Sequence, residues 1–107
     1  MSDTLQDIVR LINEGQVRIS AHGYDELAAD NIFARDVIGG AETAVLVEDC
    51  PEYHKGPAVL VLQFDNAGNP IHIVWGIPKG KTSPAVLVTA YRPDPARWSG
   101  DFLRRKS

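Results

Sequence analysis

Three histidines are the side chains of this chain best suited to proton transfer near neutral pH. His72 lies in the apolar run 70–75, where the two-residue repeat of a strand puts it on the opposite face from its two isoleucine neighbours. This position predicts an exposed imidazole that acts as general acid or base, or else a partly buried one that hydrogen-bonds to a neighbour. His54 lies in the polar segment 52–56, which predicts a catalytic loop residue or a solvated side chain.

Cationic and phenolic side chains follow the histidines along the chain. Lys79 and Lys81 lie in the segment 76–84 among glycines and hydroxyl residues, and Tyr91 and Arg92 end the last apolar run. A guanidinium can bind a phosphate through two parallel hydrogen bonds, so these residues predict a phosphate site. The segment lacks the spacing of a P-loop, which disfavours ATP binding. The alternatives are a solvated hairpin loop for the lysines and an ion pair with an aspartate such as Asp94 for Arg92.

Metal and disulfide chemistry are not predicted. Cys50 has no second cysteine to pair with, and its spacing to His54 does not match the paired ligands of structural zinc sites. We therefore expect no metal and no cofactor, and Cys50 as a small buried apolar side chain. His22 lies four residues before Glu26 on one helical face, which predicts a structural hydrogen bond between them.

The length and charge of the chain restrict its class. Its 107 residues, with a net charge of −3, predict one domain over 1–107. Acidic residues dominate 1–52, which sum to −8, whereas 79–107 sum to +5, so a locally cationic surface is compatible with an acidic total. The chain lacks the long apolar stretch of a membrane span and a signal-peptide pattern, so a soluble cytoplasmic protein without membrane association is expected.

Local periodicity predicts helices first and strands afterwards. Apolar residues at helical spacing predict a helix over 4–14, a second one capped by Ser20, and a short third one that ends at Gly39-Gly40. Four β-branched runs then follow, at 44–48, 58–64, 71–75 and 85–91. The connections between them are too short for parallel crossovers. The expected fold class is α+β, with two or three N-terminal helices packed on a four-stranded antiparallel meander.

Two further patterns concern the faces of this sheet. The runs 59–62 and 85–88 are apolar at every position, which predicts that both faces are covered. The helices account for one face, and the C-terminal segment, a second copy or another protein for the other. Trp98 and Phe102, four residues apart, are expected to be packing anchors rather than groups that stack on bases.

The sequences PIHIVWGIP and VLVTAYRPDPARW, together with His22 at the start of the second helix, resemble a family of small bacterial domains of unknown function. The resemblance covers residues 17–98. That family is similar to the RelE/ParE-like toxins of type II toxin–antitoxin systems, whose members are paired with small antitoxins.

This resemblance implies a RelE-like fold and a metal-independent endoribonuclease that cuts mRNA, with RNA or the ribosome and an antitoxin protein as partners. Its chemistry would use His72 or His54 as base or acid, and Tyr91 as a proton donor or stacking group. The phosphate ligands would be Lys79, Lys81 and Arg92. The alternatives are a non-catalytic protein-binding module and a homodimer of the same fold.

Overall fold

The computed structural model describes residues 2–106, which form three α-helices, one short 3₁₀ helix and five β-strands. The helices are α1 (Asp3–Asn13), α2 (Ala21–Ala29) and α3 (Ala34–Gly39), and the 3₁₀ helix spans Ala41–Thr43. The strands are β1 (Val17–Ile19), β2 (Val45–Cys50), β3 (Ala58–Phe64), β4 (Pro70–Gly76) and β5 (Ala85–Tyr91). The α+β class is therefore confirmed. No helix within 2–106 is both long and apolar enough to cross a lipid bilayer.

Serine side chains begin the first two helices. The Ser2 hydroxyl accepts a hydrogen bond from the Leu5 amide, so α1 begins one residue earlier than expected. The Ser20 hydroxyl accepts one from the Gly23 amide at 2.9 Å, which confirms the predicted cap of α2. Ser20 also donates to the carbonyl of Val88, and this bond ties the start of α2 to β5.

The sheet has the strand order β1-β5-β4-β3-β2 and is mixed. The pairs between β2 and β3, β3 and β4, and β4 and β5 are antiparallel, but β1 pairs parallel to β5. The predicted four-stranded antiparallel meander therefore lacks β1, the fifth strand of the observed sheet. The run 17–19 favours strand conformation, but only pairing with the distant strand β5 makes it part of the sheet, and no local pattern signals that pairing.

One face of the sheet packs against the helices. Buried apolar side chains of the central strands meet those of the helices in one core, which includes Val59, Val61, Ile71, Ile73, Trp75 and Leu87 with Ile8, Leu11, Leu27 and Val37. The one buried amide there is satisfied, because Gln63 accepts from the Trp75 indole and donates to the Val37 carbonyl.

The other face is partly covered by residues 94–106, here called the C-terminal hairpin. Its two arms meet where Trp98 bridges to Arg105 and where the Ser99 amide donates to the Arg104 carbonyl at 2.8 Å. Trp98 is only 5% exposed, which confirms it as a packing anchor. The hairpin leaves the remainder of this face open.

Candidate functional site

The open part of the helix-free face forms a groove of about 620 Å³. Its floor is apolar and consists of side chains from the three central strands, namely Leu60, Val74, Val86 and Val88. Its rim carries groups that can do chemistry, namely Arg18, Glu48, Cys50, Tyr53, Lys55, Thr89, Tyr91 and Arg105. An apolar floor with a few polar groups at the rim is the usual composition of a ligand site.

Two β-bulges determine which side chains face this groove. In β5 the partner of Val74 is Thr89 and that of Trp75 is Leu87, so one extra residue, Val88, lies between them. In β2 the register shifts in the same way between Leu46 and Glu48. Residues directly opposite each other in a sheet share a face, and an extra residue reverses the alternation beyond it.

The consequence is that both shifts turn polar groups toward the groove. Tyr91 pairs with His72, and Glu48 pairs with Leu60, both on the helix-free face. Without the bulge, simple alternation from Leu87 would direct Tyr91 into the helix-packed core. Bulges beside functional sites commonly re-aim a side chain in this manner.

His72 lies behind Tyr91 and is fully buried. Its Nε2 is 2.8 Å from the Phe102 carbonyl, which can only accept, so Nε2 carries the proton. Its Nδ1 is 3.2 Å from the Tyr91 hydroxyl and therefore accepts from it. The Trp98 ring covers the imidazole edge-on, with centroids 4.3 Å apart. The expected exposure of His72 is wrong, and its hydrogen-bonded alternative is confirmed, because the C-terminal hairpin seals this part of the face.

Burial sets the protonation of this pair. The pKa of His72 lies below its ordinary value of 6.5, chiefly because burial disfavours the imidazolium, and the nearby charge of Arg105 acts in the same direction. Burial likewise raises the pKa of the Tyr91 phenol above 10.0, against the charge of Arg105. Both groups are therefore neutral near pH 7, and the phenolic proton points toward the histidine.

Arg105 and Glu48 complete this end of the groove. The Arg105 guanidinium is 2.9 Å from the Glu48 carboxylate and lies 4.7 Å from the Trp98 ring centroid. Both ion-pair partners are about half exposed or more, so an anionic ligand can compete with the carboxylate for the guanidinium.

The far end of the groove is built from two neighbouring loops. The amide of Lys79 donates to the carbonyl of Lys55, which joins the loop 51–57 to the loop 77–84. His54 and Tyr53 lie in the first loop with ring centroids 4.5 Å apart, and both are exposed. The structure thus brings His54 and Lys79 into adjoining loops, while Lys81 lies exposed further along the second loop.

Arg92 has a different environment from the one predicted. Its side chain donates to the backbone carbonyls of Asp30 and Asn31 and is 3.1 Å from the Asp65 carboxylate. The ion pair expected as the alternative is present, but its partner is Asp65 of the β3–β4 loop rather than Asp94. Arg92 joins the end of α2 to that loop and does not line the groove.

Several residues of the groove were missed by sequence reasoning. Arg18, Tyr53, Lys55 and Arg105 carry no motif, and only the fold brings them to one rim. Cys50, expected to be buried, is exposed because the bulge of β2 turns it to the groove side. The paired His22 and Glu26, 3.4 Å apart, are largely exposed, so the predicted pair exists on the surface of α2.

Metal ligands are not grouped in the part of the chain that the structure describes. Within 2–106 no three histidine, cysteine or acidic side chains lie close enough together to hold an ion. The polar groups at the groove rim are phenols, cations, a thiol, a hydroxyl and one carboxylate.

Comparison with protein families gives a match over most of the chain. The sequence model of the family described as "Domain of unknown function (DUF4258)" matches residues 19–92, a stretch that includes every strand of the central sheet except the start of β1. Comparisons with curated proteins and with solved structures give no match.

Proposed function

The chain belongs to the DUF4258 family, and we propose that it is a metal-independent endoribonuclease that cuts RNA bound in the groove of its helix-free sheet face. One observation carries this proposal. The Tyr91 hydroxyl, at the rim of a groove with three cationic side chains, donates to an imidazole that a backbone carbonyl orients. A reacting hydroxyl, a base and a group that orients the base form the arrangement that activates nucleophiles and bases in many enzymes.

The proton path follows from the two hydrogen bonds of His72. Tyr91 takes the proton of a ribose 2′-hydroxyl as its own proton passes to Nδ1 of His72, while Nε2 keeps its proton and its bond to Phe102. The 2′-oxygen then attacks the adjacent phosphorus, and the bond to the 5′-oxygen of the next nucleotide breaks. The products are a 2′,3′-cyclic phosphate and a 5′-hydroxyl, which receives its proton from water. His54 lies in the loop at the far end of the groove, about 13 Å or more from the level of Tyr91, and is too distant to protonate that oxygen.

The charge that develops on the phosphate requires cations nearby. Arg105, next to Tyr91, is the cation placed to stabilise this charge, whereas Arg18 and Lys55, farther along the rim, are placed to bind neighbouring phosphates of the RNA. Arg105 replaces Arg92 in this role, since the Arg92 guanidinium is engaged by Asp65 and two carbonyls. Lys79 and Lys81 extend the cationic character beyond the groove along the adjoining loop.

The test is cleavage of purified RNA in the presence of EDTA, followed by analysis of the product ends. We expect cyclic phosphate ends from the unaltered protein, and a loss of roughly 10²- to 10⁴-fold in rate for Tyr91→Phe, the range that general acid–base groups contribute. Tyr24→Phe, on the exposed surface of α2, is the matched control and leaves the rate unchanged. Intact RNA after prolonged incubation with the unaltered protein contradicts the proposal.

We further propose that this activity is that of a type II toxin, held in check by an antitoxin protein and directed at mRNA, including mRNA on the ribosome. Expression of the chain without its partner is then expected to arrest growth, and Tyr91→Phe is expected to lift the arrest. If the expressed protein is folded and cleaves RNA but does not slow growth, the chain is an RNA-processing enzyme rather than a toxin.

A second candidate is a non-catalytic module that binds a protein or a second copy of itself. It is favoured by the apolar groove floor and by the exposed fractions of Val88 (40%) and Tyr53 (47%), which are large for apolar side chains on one face. This candidate predicts self-association or a stable complex in sedimentation experiments, unaffected by Tyr91→Phe, and no cleaved RNA.

A further inference from the structure

We infer that the groove takes a single-stranded stretch of nucleic acid, one of whose unpaired bases stacks on the ring of Tyr53. The inference rests on the proposed function for the identity of the substrate and adds its strandedness and a base subsite. No part of the proton path in the previous section involves Tyr53.

Charge complementarity favours an anionic occupant. Among residues 2–106, Arg18, Lys55 and Arg105 face a single carboxylate, Glu48, along the groove, although the whole chain has a net charge of −3. Glu48 is itself paired with Arg105. The groove is thus a cationic strip on an acidic protein, which is the electrostatic pattern expected where a phosphate backbone binds.

The aromatic group is exposed and held in position. Tyr53 is 47% exposed, and its ring leans on that of His54 at an angle of 53°. Its backbone is fixed on both sides, because its amide donates to the Cys50 carbonyl and its carbonyl accepts from Gly56. A fixed, exposed ring beside cations binds an unpaired base by stacking, whereas bases within a duplex keep their faces hidden in the stack.

The register of the sheet sets the length of the strand that fits. Tyr91 lies at the level of His72, which pairs with Leu62, and the Tyr53 loop begins beyond Ala58 on the same strand β3. Four residues of strand span about 13 Å. Nucleotides stacked at about 3.4 Å each would place about four between the level of Tyr91 and the start of the Tyr53 loop.

Binding is measured by fluorescence anisotropy of labelled RNA oligonucleotides in the non-cleaving Tyr91→Phe background. We expect Tyr53→Ala to weaken binding of a single-stranded octamer roughly 5- to 100-fold, the range for one lost base–aromatic stack. Tyr53→Phe keeps the aromatic ring, so we expect its affinity to stay within about twofold of that of the background protein. Tyr24→Ala, which removes an exposed ring from α2, has no effect.

Three further comparisons use strand state, length and salt. A duplex of the same sequence and a dinucleotide bind more weakly than the octamer. Arg18→Gln and Lys55→Gln each lower the slope of log K against log salt concentration by about 0.7, the value for one phosphate contact with a single strand. Arg35→Gln, which removes the same charge on α3, leaves the slope unchanged.

The chain's one cysteine reports occupancy directly. Cys50 is exposed and lines the groove, so a bound octamer slows its alkylation. The control is Cys50→Ser with Gln6→Cys, which moves the thiol to the cavity beside α1, where the octamer gives no protection. Slower alkylation of Cys50 at higher protein concentration without RNA would assign the groove to a second copy and overturn the inference.

The outcomes separate the inference from the proposed function. If the unaltered protein cuts single-stranded RNA and Tyr53→Ala binds and cuts equally well, the inference is wrong and the proposed function stands. If no RNA is cut but the octamer binds in a Tyr53-dependent manner, the inference stands and the enzyme proposal is wrong. Tighter binding of the duplex, or no protection of Cys50, contradicts the inference in either case.

Discussion

The buried imidazole of His72 makes the stability of the fold depend on pH, and the sign follows from its surroundings. His72 is fully buried, so protonation would create a buried cation near Arg105, opposed by the charge of Glu48, and would force the Tyr91 hydroxyl to turn from donor to acceptor. Its pKa is therefore lower in the folded chain than in the unfolded chain. Between these two values the unfolded state binds more protons, so stability is full above about pH 6.5 and is lost as the pH falls below it.

The change in stability with pH is limited because His72 binds a single proton. The free energy of unfolding contributed by His72 falls by at most about 1.4 kcal/mol per pH unit below pH 6.5, until the pKa of the folded state is reached. At pH 8, His72→Gln loses its bonds to Phe102 and Tyr91, and at about 1–3 kcal/mol for each unsatisfied group this lowers the free energy of unfolding by roughly 2–6 kcal/mol. The variant should thus be less stable at pH 8, and its stability should depend less on pH.

The assay is urea unfolding of both proteins at intervals from pH 5 to pH 8. The difference between the two curves removes the titration of carboxylates, which both proteins share. A direct measurement on the unaltered protein is the NMR titration of the His72 imidazole. A His72 resonance that titrates at or above pH 6.5, or parallel stability curves for the two proteins, would refute the reasoning.

Three other changes test the packing around the site by urea unfolding. Gly56→Ala should lower the free energy of unfolding by about 2 kcal/mol or more, because Gly56 has φ +119° and a Cβ there would lie 2.1 Å from the Ile77 carbonyl oxygen. The control is Gly100→Ala, whose Cβ meets no neighbour, so its free energy of unfolding should stay within about 0.5 kcal/mol of that of the unaltered protein. Trp98→Ala should cost about 3–5 kcal/mol and raise the rate of hydrogen exchange in the C-terminal hairpin; an unchanged midpoint would show that the hairpin does not stabilise the sheet. Arg92→Leu should cost about 1–3 kcal/mol yet leave oligonucleotide affinity within twofold, and a large loss of affinity would return this residue to the phosphate site.

The residues of the proposed site illustrate what local pattern can and cannot predict. The types of side chain were visible in the sequence, and Tyr91 and His72 were both selected from it. Their relation was not visible, because a two-residue alternation along β5 gives Tyr91 the same face as Leu87. The extra residue at Val88 reverses that alternation, and a bulge depends on the partner strand rather than on the strand's own sequence.

The covering of His72 illustrates the same limit at longer range. Its position in a strand and the anchoring role of Trp98 were each predicted, but the contact between them joins segments far apart in the chain. The Phe102 carbonyl that fixes the imidazole tautomer is a backbone group, which no pattern of side chains can indicate. The cationic rim arises in the same way, from Arg18, Lys55 and Arg105 on three separate elements.

The sequence alone therefore determined the helices, the four long strands, the α+β class and the serine cap of α2, since these depend on residues within a few positions of one another. Only the tertiary structure decided that β1 joins the sheet in parallel, that two bulges turn Tyr91 and Glu48 toward one groove, and that the C-terminal hairpin buries His72. The physical reason is that pairing register and burial are properties of contacts between distant segments, whose energies no local stretch of the chain contains.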